Sequence, residues 1–181
     1  VTYVLDYNLG EIAVVGGDGN DTFDVSANAL ASLDSLDGGA GTTDTLKFSG
    51  SANTTITSVA AAAAAISNVE RLELESANSV AGVQSYTIDL DTTEGVTSIL
   101  LDANDTNGAA VFTLNDISAT QMGAITNTMV AGGSTVVLDA KTGTGTSDAA
   151  VIAATMGTGA GTLTVTDSNN NIESLSITAT G

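Results

Sequence analysis

Short segments in which apolar and polar residues alternate recur along this chain, and a period of two predicts β-strands with one buried face. The clearest is residues 70–75, where glutamates separate Leu72 and Leu74. Similar segments lie at residues 2–5, 11–15, 22–26, 45–49, 86–90, 95–102, 111–114, 135–140, 162–166 and 171–177. The pattern predicts a mainly β protein.

Several of these segments also resemble one another at a regular spacing. Val96 follows Val69 by 27 residues, and Ile172 follows Val96 by 76, which is close to three such steps. Degenerate repetition at about 20–30 residues is typical of a solenoid whose coils stack around a shared core. We therefore predict a parallel β-helix or β-roll-like solenoid, with residues 1–181 as a single domain. A β-sandwich is the alternative, but sandwiches seldom repeat a motif in this way.

Two stretches predict short helical segments at the corners of the coils. Residues 59–66 are almost all alanine, the residue with the highest helix propensity. In residues 28–36, Leu30, Leu33 and Leu36 have helical spacing, which indicates a short helix or a loop. Val1 already belongs to a strand-like segment, so we expect the chain to be part of a longer protein.

The charge composition restricts the classes of partner. The chain has 21 acidic residues and three basic ones, for a formal net charge of −18. Nucleic acid is excluded as a partner because phosphate contacts need Lys and Arg. The absence of Cys and His removes thiolate and imidazole metal sites and leaves oxygen ligands. No apolar run has the length of a membrane span, so membrane insertion is not expected.

Two glycine-rich turns are the strongest chemical signal. Residues 16–24 read Gly-Gly-Asp-Gly-Asn-Asp-Thr-Phe-Asp, and residues 38–48 are a looser copy with one inserted threonine, Thr42 or Thr43. Glycine permits backbone conformations that turn several carbonyls to one side. Hard cations such as Ca²⁺ prefer carbonyl and carboxylate oxygens. The turns therefore predict a calcium site, whereas ordinary Gly/Asp turns that bind nothing are the alternative.

Residues 16–24 match the nine-residue pattern Gly-Gly-x-Gly-x-Asp-x-apolar-x, and in this they resemble the calcium-binding repeat of RTX proteins. The resemblance implies that adjacent turns ligate Ca²⁺ jointly through carbonyls and an aspartate. Carried over by position, the implied metal ligands are Gly17, Asp18, Gly19 and Asp21 in the first turn and Gly39, Gly41 and Asp44 in the second.

The second turn, the alanine-rich segment and residues 66–74 together look like bacterial surface-layer proteins of the RTX type. That resemblance implies type I secretion, folding when Ca²⁺ is met outside the cell, and a location on the cell surface. The implied partners are copies of the same protein in a surface lattice, with cell-surface polysaccharide as a further partner. An RTX adhesin or ligand-binding module is one alternative, and a non-catalytic module of a secreted enzyme is another.

The chain is not predicted to be an enzyme. Without histidine it has no Ser-His-Asp arrangement and no zinc-binding His pair. Three further groups of oxygen-bearing residues are interpreted as solvated turns because Asx residues favour turns unaided. They are Asp89 with Asp91 and Glu94, Asp102 with Asn104, Asp105 and Asn107, and Asp167 with Asn169 and Asn171.

Overall fold

The computed structural model describes residues 1–5, 12–25, 33–50, 55–57, 66–76, 83–91, 93, 95–103, 109–141, 148–159 and 161–181. In chain order its strands are β1 (Thr2–Leu5), β2 (Ile12–Val15), β3 (Thr22–Val25), β4 (Leu33–Asp37), β5 (Thr45–Gly50), β6 (Thr55–Thr57), β7 (Ile66–Ser67), β8 (Arg71–Ser76), β9 (Val83–Asp89), β10 (Ser98–Ala103), β11 (Ala109–Ile117), β12 (Ile125–Met129), β13 (Ser134–Ala140), β14 (Ala149–Met156), β15 (Leu163–Asp167) and β16 (Ser174–Thr180). A short helix, α1 (Ala119–Met122), lies between β11 and β12.

The strands form three parallel sheets that wind as a β-solenoid. An eight-stranded sheet has the order β1-β3-β5-β8-β10-β12-β14-β16, a five-stranded sheet the order β15-β13-β11-β9-β6, and a three-stranded sheet the order β2-β4-β7. Along the eight-stranded sheet the chain advances by 20 residues from Thr2 to its partner Thr22, and by 27 residues from Arg71 to its partner Ser98. The prediction of a solenoid with a 20–30-residue repeat is confirmed, and the sandwich alternative is wrong.

The core consists of apolar side chains stacked in rows between the sheets. One row of the eight-stranded sheet follows the register through Phe23, Leu46, Leu72, Ile99, Ile125 and Ile152. Each of these side chains is at most 2% exposed. In the five-stranded sheet the rings of Tyr86 and Phe112 stack with their centroids 5.4 Å apart. Because each row continues from coil to coil, a coil needs the adjacent coils to bury its apolar inner face.

Of the two predicted corner helices, one is contradicted over residues 33–36, and most of the other lies outside the described residues. Residues 33–36, part of the predicted helix or loop, belong to strand β4, which pairs with β2 on one side and β7 on the other. Most of the alanine-rich stretch, residues 59–65, lies outside the described residues, and Ile66 belongs to β7. The helix that does occur at a corner, α1, begins with a capping box between Ser118 and Gln121. Among the described residues, no helix has the length and apolar character needed to cross a membrane.

Candidate metal centre

The two predicted turns lie one above the other. Residues 16–21 connect β2 to β3, and residues 38–44 connect β4 to β5, so the pairing of β2 with β4 and of β3 with β5 stacks the turns. The Gly16 N–H donates to the carbonyl of Asp37 at 2.7 Å, and the Ala40 N–H donates to that of Gly17 at 2.9 Å. A third turn, at residues 68–70, follows in the same stack, and the Gly38 N–H donates to the carbonyl of Ser67 at 2.9 Å.

Close backbone stacking explains the first glycine of each turn. A Cβ on Gly16 would lie 2.0 Å from the carbonyl oxygen of Gly38, and a Cβ on Gly38 would lie 1.7 Å from that of Asn68. Gly39 has φ +95°, a conformation that disfavours other residues, and Asn68 has φ 51° at the third turn. These glycines are therefore required by the fold even without a bound ion.

Asp21, the aspartate of the first turn, has both carboxylate oxygens bonded and is 2% exposed. Its Oδ1 accepts from the amino nitrogen of Val1 at 2.6 Å, and its Oδ2 accepts from the Gly17 N–H at 2.7 Å. The hydrogen bond from Val1 and then that from Gly17 hold the pKa of Asp21 below its usual range. The carboxylate thus closes its own turn.

Asp21 also belongs to a ladder of carboxylates that joins successive coils. Asp44 Oδ1 accepts from the Asp21 N–H at 2.7 Å, and Glu70 Oε2 accepts from the Asp44 N–H at 2.8 Å. At the far end of the solenoid, Glu173 Oε2 accepts from the Asp148 N–H at 2.6 Å. In each case a carboxylate in one coil caps the N–H that precedes a strand in the coil before it. Sequence reasoning missed Glu70, although it occupies the same position before β8 that Asp44 occupies before β5.

Asp44, the aspartate of the second turn, differs from Asp21 in one respect. It is fully buried, and its Oδ2 has no hydrogen-bond partner in the described part of the chain. Gly41 lies against it, since a Cβ there would be 2.5 Å from both carboxylate oxygens. An ionised carboxylate oxygen that is buried without a partner is costly unless a cation or a donor reaches it.

The inserted threonine of the second turn is accommodated by Asn20. Its Oδ1 accepts from the backbone N–H of Thr42 at 3.1 Å and from that of Thr43 at 3.3 Å. The insertion therefore does not break the stack. Asn20 was not predicted to act in this way, because its role depends on the pairing between turns.

The remaining predicted ligands lie at the outer part of the turns. Asp18 and Gly19 are exposed at the tip of the first turn, and a Cβ on Gly19 would meet nothing within 4 Å. Gly17 and Gly39 are in contact across the stack, since a Cβ on Gly39 would lie 2.4 Å from the Gly17 carbonyl oxygen. Within the described ranges, no three Asp, Glu, His or Cys side chains are grouped as metal ligands. A metal here would thus depend on Asp44 together with backbone carbonyls.

Two of the other oxygen-bearing groups form ordinary turns, and most of the third, residues 104–108, lies outside the described residues. Asp167 Oδ1 accepts from the Asn170 N–H at 3.0 Å, and its Oδ2 accepts from the Ile172 N–H at 3.0 Å. Asp89 Oδ1 accepts from the Asp91 N–H at 3.0 Å, while Glu94 lies outside the described residues. These aspartates satisfy local backbone donors, as the sequence interpretation expected.

Asp116 is the strained member of an acidic group near the C-terminal ends of β9, β11 and β13 in the five-stranded sheet. It has φ 53°, and it borders a cavity of about 220 Å³ that Asp91 and Lys141 also line. Burial, and then the charges of Asp89, Asp91 and Asp139, raise the pKa of Asp116 above its usual range. Its charged form is therefore disfavoured in the folded state.

No protein family, curated protein or solved structure matches this chain.

Replacing Gly38 with alanine should destabilise the solenoid by about 3 kcal/mol or more, because the new Cβ would overlap the carbonyl of Asn68 and separate the turns. Chemical denaturation without calcium measures this loss. Gly19→Ala is the matched control, and it should change stability by less than about 1 kcal/mol because its Cβ meets no neighbour. Equal effects of the two substitutions would contradict the stacking argument.

Asp116→Asn should stabilise the protein at pH 7, because it removes a disfavoured charge and asparagine tolerates positive φ. A raised folded-state pKa means that charged Asp116 opposes folding above that pKa, and that the opposition fades as pH falls through it. The gain should therefore shrink towards zero under acidic conditions. The free energy of unfolding, measured against pH, tests this. Asp91→Asn is the control. It removes one charge that repels Asp116 but also the 2.5 Å pair with Lys141, so any gain should be smaller than that of Asp116→Asn. A gain independent of pH would contradict the electrostatic explanation.

Proposed function

We propose that this chain is a calcium-stabilised structural module of a secreted bacterial surface-layer protein, in which Ca²⁺ promotes folding and lattice assembly. The observation that supports it most directly is the buried, unpartnered Oδ2 of Asp44 between stacked glycine turns. The proposed role is structural and not catalytic.

The proposed site combines one carboxylate with backbone oxygens. Asp44 would hold the ion with the carbonyls of Gly39 and Gly41 in its own turn and of Gly17 in the preceding turn. Asp21 would contribute mainly by closing the first turn, because both of its oxygens already accept hydrogen bonds. Asp18 and Gly19 would contribute from the exposed tip. Oxygen-only ligation of this kind suits Ca²⁺.

Charge supports the same proposal. Self-repulsion at a net charge of −18 opposes a compact state, and a bound divalent cation reduces it. An ion that binds the folded form alone stabilises that form by mass action. In the low calcium of a cell interior the turns would lack this stabilisation, and they would gain it outside.

Calcium should raise the melting temperature of the chelator-treated protein. At 100 times its Kd, calcium stabilises by about 2.7 kcal/mol, which corresponds to a rise of about 5–10 °C for a chain of this size. Asp44→Asn should abolish the rise, because it replaces the unpartnered oxygen while keeping the acceptor for the Asp21 N–H. Scanning calorimetry with and without calcium measures both effects.

Glu173→Gln is the matched control for that experiment. Glu173 occupies the same ladder at the far end of the solenoid, where no glycine-rich turn of the 16–24 type precedes the strand. Its variant should keep the calcium response of the wild type. A melting temperature that does not respond to calcium in any of the three proteins would overturn the calcium proposal.

Assembly with copies of the same protein, and attachment to cell-surface polysaccharide, belong to the same proposal. They rest on the resemblance of the turns and of residues 66–74 to surface-layer proteins, and on a Cys-free acidic composition that suits the cell exterior.

Full-length protein should form ordered sheets or tubes when calcium is added and should revert when calcium is chelated. Negative-stain electron microscopy measures the outcome, with magnesium as the control for a general effect of divalent charge. Persistent monomers in calcium would overturn the lattice part of the proposal and favour an adhesin or a non-catalytic module of a secreted enzyme.

An adhesive or ligand-binding module is the second candidate, because threonines form rows on the outer faces of the sheets. Thr128, Thr155 and Thr180 are successive register partners on the eight-stranded sheet, and Thr87 pairs with Thr113 on the five-stranded sheet. A flat array of hydroxyl and methyl groups is the feature expected of a surface for glycan or ice. The high β-propensity of threonine also accounts for these rows, so the structural role remains the first proposal.

A further inference from the structure

One inner corner of the solenoid is polar, whereas most of the buried side chains are apolar. It lies where strands of the eight-stranded sheet end and strands of the five-stranded sheet begin, and we call Gly50, Ser76, Gln84 and Tyr86 the polar corner. Gly50 is the register partner of Ser76 at the ends of β5 and β8, and Gln84 lies near the start of β9. Ser76 and Gln84 are fully buried.

Two side chains of the polar corner have polar atoms without partners. Ser76 Oγ and Gln84 Nε2 make no hydrogen bond within the described part of the chain. Each such group, when buried, carries an uncompensated desolvation cost. Native proteins rarely leave such groups unpaired, and ordered water is the usual partner where the protein supplies none.

Rotating the Gln84 amide does not remove the unpaired atom. The Tyr86 hydroxyl donates to the carbonyl of Glu75, and it lies 3.1 Å from Gln84 Oε1. Burial, and then the charge of Glu75, raise the pKa of Tyr86, so its hydroxyl stays protonated. Its single proton cannot serve both oxygens. If the amide turns so that Nε2 donates to Tyr86, Oε1 is left without a partner instead.

The polar corner requires glycine at position 50, because its polar side chains lie close to the Gly50 backbone. A Cβ there would lie 2.8 Å from the Tyr86 hydroxyl oxygen and 3.4 Å from both polar atoms of the Gln84 amide. The next coil keeps small residues at this corner, with Ala110 as the register partner of Gln84 and Ala103 at the end of β10.

A second unpartnered group lies beyond this coil. Asn127 is fully buried, and its Nδ2 donates to Ser134 Oγ at 2.9 Å, but its Oδ1 has no partner among the described residues. Ser134 is the register partner of Ala110, so it belongs to the same inner row as Gln84. Unpaired polar groups therefore occur on both sides of the coil that carries Ala103 and Ala110.

We propose that this inner corner binds ordered internal water, with one molecule bonded to Ser76 and Gln84 and another bonded to Asn127. Water fits because it donates and accepts at once, so it pairs with a hydroxyl and with an amide in either orientation. A metal cation does not fit, because the polar corner contains no carboxylate and one of its unpaired groups is an N–H donor. The waters are part of the fold and are independent of the calcium proposal.

The Ser76→Ala substitution tests the proposal, because a dry corner and a water-filled corner predict opposite changes in melting temperature. If the corner were dry, removing an unpaired hydroxyl would relieve its desolvation cost and raise the melting temperature. If water fills the corner, the substitution removes a hydrogen bond, and the melting temperature should fall by about 2–4 °C. A rise or no change in Ser76→Ala would overturn the proposal.

Ser134→Ala is the matched control, because Ser134 is buried in a strand at the same corner but is bonded by Asn127. Its melting temperature should fall whether or not water is present. A high-resolution crystal structure of the wild type gives the direct readout and does not depend on any variant folding. Density within hydrogen-bond distance of Ser76 Oγ and the Gln84 amide supports the proposal, and an empty corner overturns it.

Discussion

The parallel hydrogen-bonded stacking of one coil on the next is the constraint on which the whole structure depends. A coil of 20–30 residues contributes only one to three large apolar side chains per strand, so it has no core of its own. Rows such as Phe23, Leu46 and Leu72 become a core because the register places them in contact. Any feature that sets how closely two coils approach therefore affects every sheet at once.

The corners determine the distance between neighbouring coils, through backbone contacts and through hydrogen bonds to carboxylates. At Gly16 and Gly38, a carbonyl of the next coil lies where a side chain would otherwise be. The carboxylates of Asp21, Asp44 and Glu70 accept hydrogen bonds from N–H groups that the strands leave unpaired. Part of the large negative charge is thereby used in hydrogen bonds between coils. On the outer face, Lys47 lies 3.1 Å from Glu73 and 2.7 Å from Glu75, which reduces repulsion between parallel rows.

The sequence predicted the strands whose two faces differ in polarity and missed those whose faces do not. β8 was predicted because glutamates alternate with its leucines. β14 was missed because its buried Ala150 and Ala154 and its exposed Val151 and Ala153 show no contrast, and β12 because Asn127 occupies an inner position. The turns were found through their glycines, but the contacts of Asn20 and Glu70 depend on register, which a single segment does not encode.

The sequence pattern and the structure rank the two turns differently as candidate metal sites. By sequence, the first turn matches the calcium pattern fully and the second deviates by an insertion, so Asp21 is the stronger ligand candidate. In the structure Asp21 accepts two hydrogen bonds, whereas Asp44 retains an unpaired oxygen beside Gly41. The calcium proposal therefore depends on Asp44, which lies in the turn that departs from the pattern.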